Sequence, residues 1–119
     1  MSKDFTPYQE ALELKELGFN ESCFGKYDIY GVFDHKLFYH NHDVETEYVG
    51  CSAPLYQQAF RWLREKYQID SWIYPNLNGL YSVSIVRRGV GLGKVSEYQT
   101  YPEAELACLK KLIEIVKNK

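Results

Sequence analysis

Ser52-Ala53-Pro54-Leu55-Tyr56-Gln57-Gln58-Ala59-Phe60-Arg61-Trp62-Leu63-Arg64-Glu65-Lys66-Tyr67-Gln68 is the stretch on which the reading of this chain turns. At 100° per residue Trp62, Leu55, Ala59, Leu63, Tyr56, Tyr67 and Phe60 fall in one arc of roughly 160°, and Arg64, Gln57, Gln68, Arg61, Glu65 and Gln58 fill the opposite arc. The spacing predicts an amphipathic helix over 52–68. Pro54 is expected in its first turn, where the missing amide has no intrahelical acceptor.

The segments on either side extend the pattern. Downstream, Ile69 to Tyr74 is rich in β-branched and aromatic residues and ends at Pro75. Asn76-Leu77-Asn78-Gly79 then supplies turn chemistry. Tyr81, Val83 and Ile85 alternate with Ser82, Ser84 and Val86, a strand period. Arg87 to Gly93 reads as a hairpin tip and Lys94 to Gln99 as a returning strand. Thr100-Tyr101-Pro102-Glu103 is a capping box for a last helix reaching about Lys117. Residues 52–119 are therefore predicted as an α-β-β-β-α unit, an antiparallel sheet with helices packed on one face.

Upstream, Thr6-Pro7-Tyr8-Gln9 is expected to cap a first helix and Gly18 to stop it in the left-handed region, with Phe19 as an anchor. Residues 22 to 50 alternate weakly, with polar breaks at 34–36 and 41–43, and read as a short β-meander. The expected class is α+β, a single domain over 1–119. In it an N-terminal helix and meander (1–51) precede the α-β-β-β-α unit (52–119). Most of the eleven tyrosines, among them Tyr27, Tyr30, Tyr39, Tyr48, Tyr81 and Tyr98, are assigned to strands.

A chain of 119 residues can bury one real core without staples. Cys23, Cys51 and Cys108 are odd in number and widely spaced, which suits free thiols in a reducing compartment. No apolar run resembles a signal peptide or a membrane span, so a cytoplasmic protein without membrane partners is expected. Charge is polarised: residues 1–51 hold four Lys/Arg and ten Asp/Glu, residues 52–119 ten and six, and the total is −2. Such asymmetry fits an anionic partner for the basic half, or mutual attraction of the halves in the fold or in a homodimer.

Three segments carry a family resemblance: Glu13 to Glu21, Ala53-Pro54 with Gln57 to Lys66, and Thr100 to Glu105. Together they resemble small uncharacterised proteins encoded by bacteriophages and prophages, especially of gut Bacteroidetes. The resemblance implies an intracellular, mobile-element protein and brings across no activity or site residues. The α-β-β-β-α order of 52–119 is also similar to a double-stranded-RNA-binding domain. That resemblance implies contacts from the start of the last helix, the first strand–strand loop and the first helix. Here Glu103 and Glu105 occupy the first position and the uncharged Pro75 to Gly79 the second, leaving Arg61, Arg64 and Gln57.

Candidate chemistry is sparse. His35, His40 and His42 form one metal-like cluster, which would need three or four groups converging at about 2.0–2.2 Å. Gly89-Val90-Gly91-Leu92-Gly93-Lys94 lacks both the spacing and the following helix of a phosphate loop, so no cofactor is expected. No nucleophile is placed beside a base, and an enzyme is not expected. The leading expectation is a non-enzymatic binding or adaptor module with a protein partner, from host or phage or as a second copy of itself. The alternatives are nucleic-acid binding through Arg61, Arg64, Arg87, Arg88 and Lys94, and a metal-binding protein using His35, His40 and His42.

Overall fold

The computed structural model describes residues 4–21, 23–39, 49–87, 90–91 and 96–118, with only the backbone at 35–39, 49–50 and 90–91. It contains three helices and two small antiparallel sheets, an α+β architecture. The chain divides into two compact units, Met1–Ala59 and Phe60–Lys119, and the boundary falls inside one helix.

The first unit opens with α1 (Tyr8–Glu16), followed by β1 (Cys23–Asp28), β2 (Phe33–Tyr39) and β3 (Val49–Ala53). The helix ends as the sequence predicts. Gly18 takes φ 102°, its N–H donates to the Lys15 carbonyl, and the Phe19 N–H donates to the Leu14 carbonyl at 2.9 Å. This is a Schellman stop, and it drives Phe19 into the interior. Its start differs from expectation. Pro7 holds the cap position, and a proline has no side-chain acceptor to cap the helix; the Thr6 N–H donates to the Pro54 carbonyl at 2.8 Å. Thr6 is fully buried, and its Oγ1 has no hydrogen-bond partner among the described residues.

The strand order β2-β1-β3 corrects the meander: β1 lies in the middle and pairs antiparallel with both others. These strands form their own sheet and do not extend the later one. Strand β1 ends at Asp28, so Ile29 and Tyr30 lie in a turn and are exposed, Tyr30 by 81%. Phe5, Ala11, Tyr27, Cys51 and Ala53 form the core of this unit, with Tyr8, Leu12, Phe33 and Leu55 packed against it. Gly25 makes the packing geometrically feasible. A Cβ there would sit 2.7 Å from Phe33 Cε1 and 3.1 Å from Phe5 Cδ1, whose rings lie 4.9 Å apart.

Helix α2 (Tyr56–Tyr67) starts four residues later than the periodicity suggests. Ser52 and Ala53 belong to β3, where they pair with Lys26 and Gly25, and Leu55 bridges to Phe5. Pro54 therefore precedes the helix, because strand pairing outcompetes helix propensity at these residues. At its far end Gln68 takes φ 54°, and its Nε2 donates to the Glu65 carbonyl.

The second unit continues with β4 (Ile69–Pro75), β5 (Tyr81–Arg87), β6 (Val90–Gly91), β7 (Ser96–Tyr98) and α3 (Tyr101–Lys117). Strand β5 is central. β4 pairs along its whole length, while β6 and β7 share its other edge, at Val86–Arg87 and Tyr81–Val83 respectively. Arg87, expected in the hairpin tip, belongs to β5, and Val90–Gly91 pair with its end.

Helix α3 is capped as predicted, the Glu103 N–H donating to Thr100 Oγ1 at 3.3 Å. It packs over β4, β5 and β7 with Ala104, Cys108, Leu109, Leu112, Ile113 and Val116 buried. Burying an apolar side chain of this size stabilises by about 1.5–3 kcal/mol, so this stripe anchors the unit. No described helix is long and apolar enough to cross a membrane.

Candidate functional site

The sheet of the second unit has two unlike faces. Register pairs Ile69 with Arg87, Ser71 with Ile85 and Ile73 with Val83. Val83 and Ile85 are buried on this side, and α3 covers it. The opposite side carries the pairs Asp70–Val86, Trp72–Ser84 and Tyr74–Ser82, and Ser82 also faces Glu97 on β7. Trp72 is 51% exposed and Tyr74 40%. Side chains two apart on a strand share a face, and each ring has only a serine across the ladder. Both rings are partly exposed, while Ser82 across from Tyr74 is buried. β4 is also an edge strand of the sheet.

A polar rim closes one end of this face. Asn76 Nδ2 donates to Ser82 Oγ at 3.0 Å and to Glu97 Oε2 at 2.6 Å. Asp70 and Glu97 are the charged side chains that the described register places here, and both are acidic. Acidic groups repel phosphate, so stacking of nucleic-acid bases on these rings is disfavoured. In the first unit Phe24 on β1 is 49% exposed, and Ile29, Tyr30 and Val32 add exposed apolar surface at the β1–β2 turn.

Of the residues singled out in the sequence, Arg61 and Arg64 lie three apart on α2 and are exposed. Arg87 ends β5, partly buried and on the face of Ile69. Arg88 and Lys94 lie outside the described residues, as do His40 and His42. His35 pairs through its backbone with Gly25. Among the described residues no group of three or more His, Cys, Asp or Glu is placed to hold a metal ion.

The three thiols are buried. Burial pushes Cys23 and Cys108 up to about 11 and Cys51 to about 12. A thiolate is disfavoured at each position, which suits packing and not nucleophilic attack.

The aromatic pair Trp72–Tyr74 escapes sequence reasoning because Ile69 to Tyr74 is apolar on both faces. The one available signal is the serine alternation of β5, which marks the face left uncovered. No family model matches this chain, and neither curated proteins nor solved structures give a significant match.

Proposed function

We propose that this protein is a non-enzymatic binding module that contacts a protein partner through the outer face of β4. The carrying observation is the pair Trp72 and Tyr74, exposed side by side above serines and bounded by carboxylates. Rigid aromatics with few rotatable bonds are favoured at protein interfaces, whereas a phosphate-binding face needs cations. The resemblance to phage and prophage proteins makes the partner a host or phage protein, or a second copy of the chain. The opposite charge of the two chain halves supports the last of these.

Trp62 is buried and Trp72 exposed, so a Trp62→Phe variant leaves Trp72 as the single fluorescent reporter. Self-association or addition of a captured partner should shift its emission to the blue, and Trp72→Ser with Tyr74→Ser should abolish the complex. A strict monomer at high concentration that also retains no host or phage protein would overturn the proposal.

A second reading rests on Arg61 and Arg64, exposed on α2, the helix that precedes the antiparallel strands β4 to β7 and α3. It makes the protein an accessory that binds duplex RNA or another nucleic acid. Arg61→Glu with Arg64→Glu would then abolish low-salt binding and leave a protein complex through Trp72 intact. Failure of duplex RNA, duplex DNA and single strands to bind at low salt would end this reading.

A further inference from the structure

The turns that close the two hairpins are the same turn. In the first, the Tyr30 and Val32 N–H groups donate to Asp28 Oδ1 at 2.8 and 2.9 Å. The Asp28 N–H donates to the Val32 carbonyl and the Gly31 N–H to the Asp28 carbonyl. In the second, the Asn78 and Leu80 N–H groups donate to Asn76 Oδ1 at 2.9 and 3.1 Å. The Asn76 N–H donates to the Leu80 carbonyl and the Gly79 N–H to the Asn76 carbonyl. Gly31 and Gly79 take φ 81° and 78°.

One offset, 48 residues, carries Asp28 onto Asn76, Gly31 onto Gly79, Phe33 onto Tyr81 and Tyr8 onto Tyr56. It also carries β2 (Phe33–Tyr39) onto β5 (Tyr81–Arg87) end to end. The first three rungs of the hairpins coincide under it: Tyr27–Phe33, Lys26–Asp34 and Gly25–His35 fall on Pro75–Tyr81, Tyr74–Ser82 and Ile73–Val83.

Residue types follow the same offset: Tyr8-Gln9-Glu10-Ala11 matches Tyr56-Gln57-Gln58-Ala59, and Leu12, Leu14, Phe24, Ile29, Val32, Leu37 and Phe38 align with Phe60, Trp62, Trp72, Leu77, Leu80, Ile85 and Val86. A turn with an Asx side chain and a left-handed glycine is common by itself. A shared offset for helix start, turn, register and residue type is not expected of two unrelated hairpins.

We infer that the chain is a tandem duplication of one αβββ module and that α3 is the opening of a third copy, retained as a cap. Each of the three helices begins on a tyrosine, Tyr8, Tyr56 and Tyr101, and three residues on each has a buried alanine, Ala11, Ala59 and Ala104, the third helix following the second by 45 residues instead of 48. The tyrosine contacts themselves are not equivalent: Tyr8 packs on Tyr27 of its own hairpin with centroids 5.4 Å apart, whereas Tyr81 is met at 5.6 Å by Tyr101 of the following helix.

The copies have diverged where the third strand docks. β3 pairs with β1, whereas β7 pairs with β5, the counterpart of β2. Gly25, which admits the Phe5 and Phe33 rings, is Ile73 in the second copy. Repeat modules that need a neighbour to close their core characteristically end in such an atypical cap.

The test exchanges equivalent segments within the full chain. Asn-Leu-Asn-Gly-Leu replaces residues 28–32 in one variant. Ile-Tyr-Gly-Val replaces 77–80 in a second, which keeps the Asn76 amide bonds. Tyr-Gln-Gln-Ala replaces 101–104 in a third. Each has a control with the same segment placed one residue out of register. The duplication predicts melting temperatures within about 3 °C of the parent for the exchanges and losses of about 10 °C or more for the controls. Exchanges that fall as far as their controls would overturn it.

Discussion

Gly31 lies directly beneath the ring of Tyr8: a Cβ on it would stand 3.0 Å from Cδ2, 3.3 Å from Cγ and 3.4 Å from Cε2. The ring has little room to retreat. Its hydroxyl donates to the Ile29 carbonyl at 3.3 Å, and the ring packs edge-on with Tyr27 at 5.4 Å between centroids. Gly79 has nearly the same positive φ, yet a Cβ there meets nothing within 4 Å. The two glycines separate conformational strain from steric conflict. Gly79→Ala should cost about 1 kcal/mol, the left-handed backbone term alone. Gly31→Ala should cost about 2–3 kcal/mol, because overpacking adds to the same term. Urea unfolding of both variants checks the order, and equal losses would mean that the Tyr8 ring moves freely.

Asn76 uses both ends of its amide, Oδ1 toward two backbone N–H groups and Nδ2 toward Ser82 and Glu97. Asn76→Ala should cost about 2–3 kcal/mol, since it strips the turn of an acceptor and leaves buried Ser82 without the donor at its hydroxyl. Asn76→Asp preserves the turn bonds but sets a carboxylate against Glu97, which accepted a hydrogen bond from position 76 at 2.6 Å. That variant should be destabilised at pH 7 and recover as pH falls toward 4, where protonation of one carboxyl relieves the repulsion and restores a donor. Melting curves of the parent and the variant between pH 4 and pH 7 test this, and a loss that does not change with pH would refute the Glu97 contact.

Local signals were legible where the decision is local. The Thr100 cap, the Gly18 stop and the alternation of β5 each depend on a few neighbouring residues, and each stands in the structure where the pattern put it. Ser52 and Ala53 were misleading for a tertiary reason: small residues ahead of a proline suit a helix start, but pairing with Lys26 and Gly25 holds them in β3. The central place of β1 depends on where β3 docks, which no short-range period encodes. Trp72 and Tyr74 were ambiguous because Ile69 and Ile73 are as apolar as they are, and only the seating of α3 decides which face is covered. The 48-residue repeat lies in the sequence too, but with four identities, Tyr, Gln, Ala and Gly, it emerges only after the hairpins are aligned by their hydrogen bonds.

The three thiols link stability to alkaline pH. Burial raises Cys23 and Cys108 from 9.0 to about 11 and Cys51 to about 12, and it raises Tyr27 as well. For an acid whose folded pKa lies above its unfolded value, the unfolded chain ionises first. The stabilisation is therefore complete below pH 9 and is lost progressively as pH climbs from 9 through 11 to 12. Each thiol should remove about 1 kcal/mol by pH 10, so the melting temperature should fall steeply above pH 9 while remaining nearly flat between pH 7 and 8.5. Cys51→Ala, which conserves a small apolar side chain, should flatten that fall even though it lowers stability at neutral pH. The same burial should keep all three thiols silent toward an aromatic disulfide reagent at pH 7.5 until urea unfolds the chain, when all three should react together. A thiol that titrates rapidly in the native protein would contradict both the burial and the alkaline slope assigned to it.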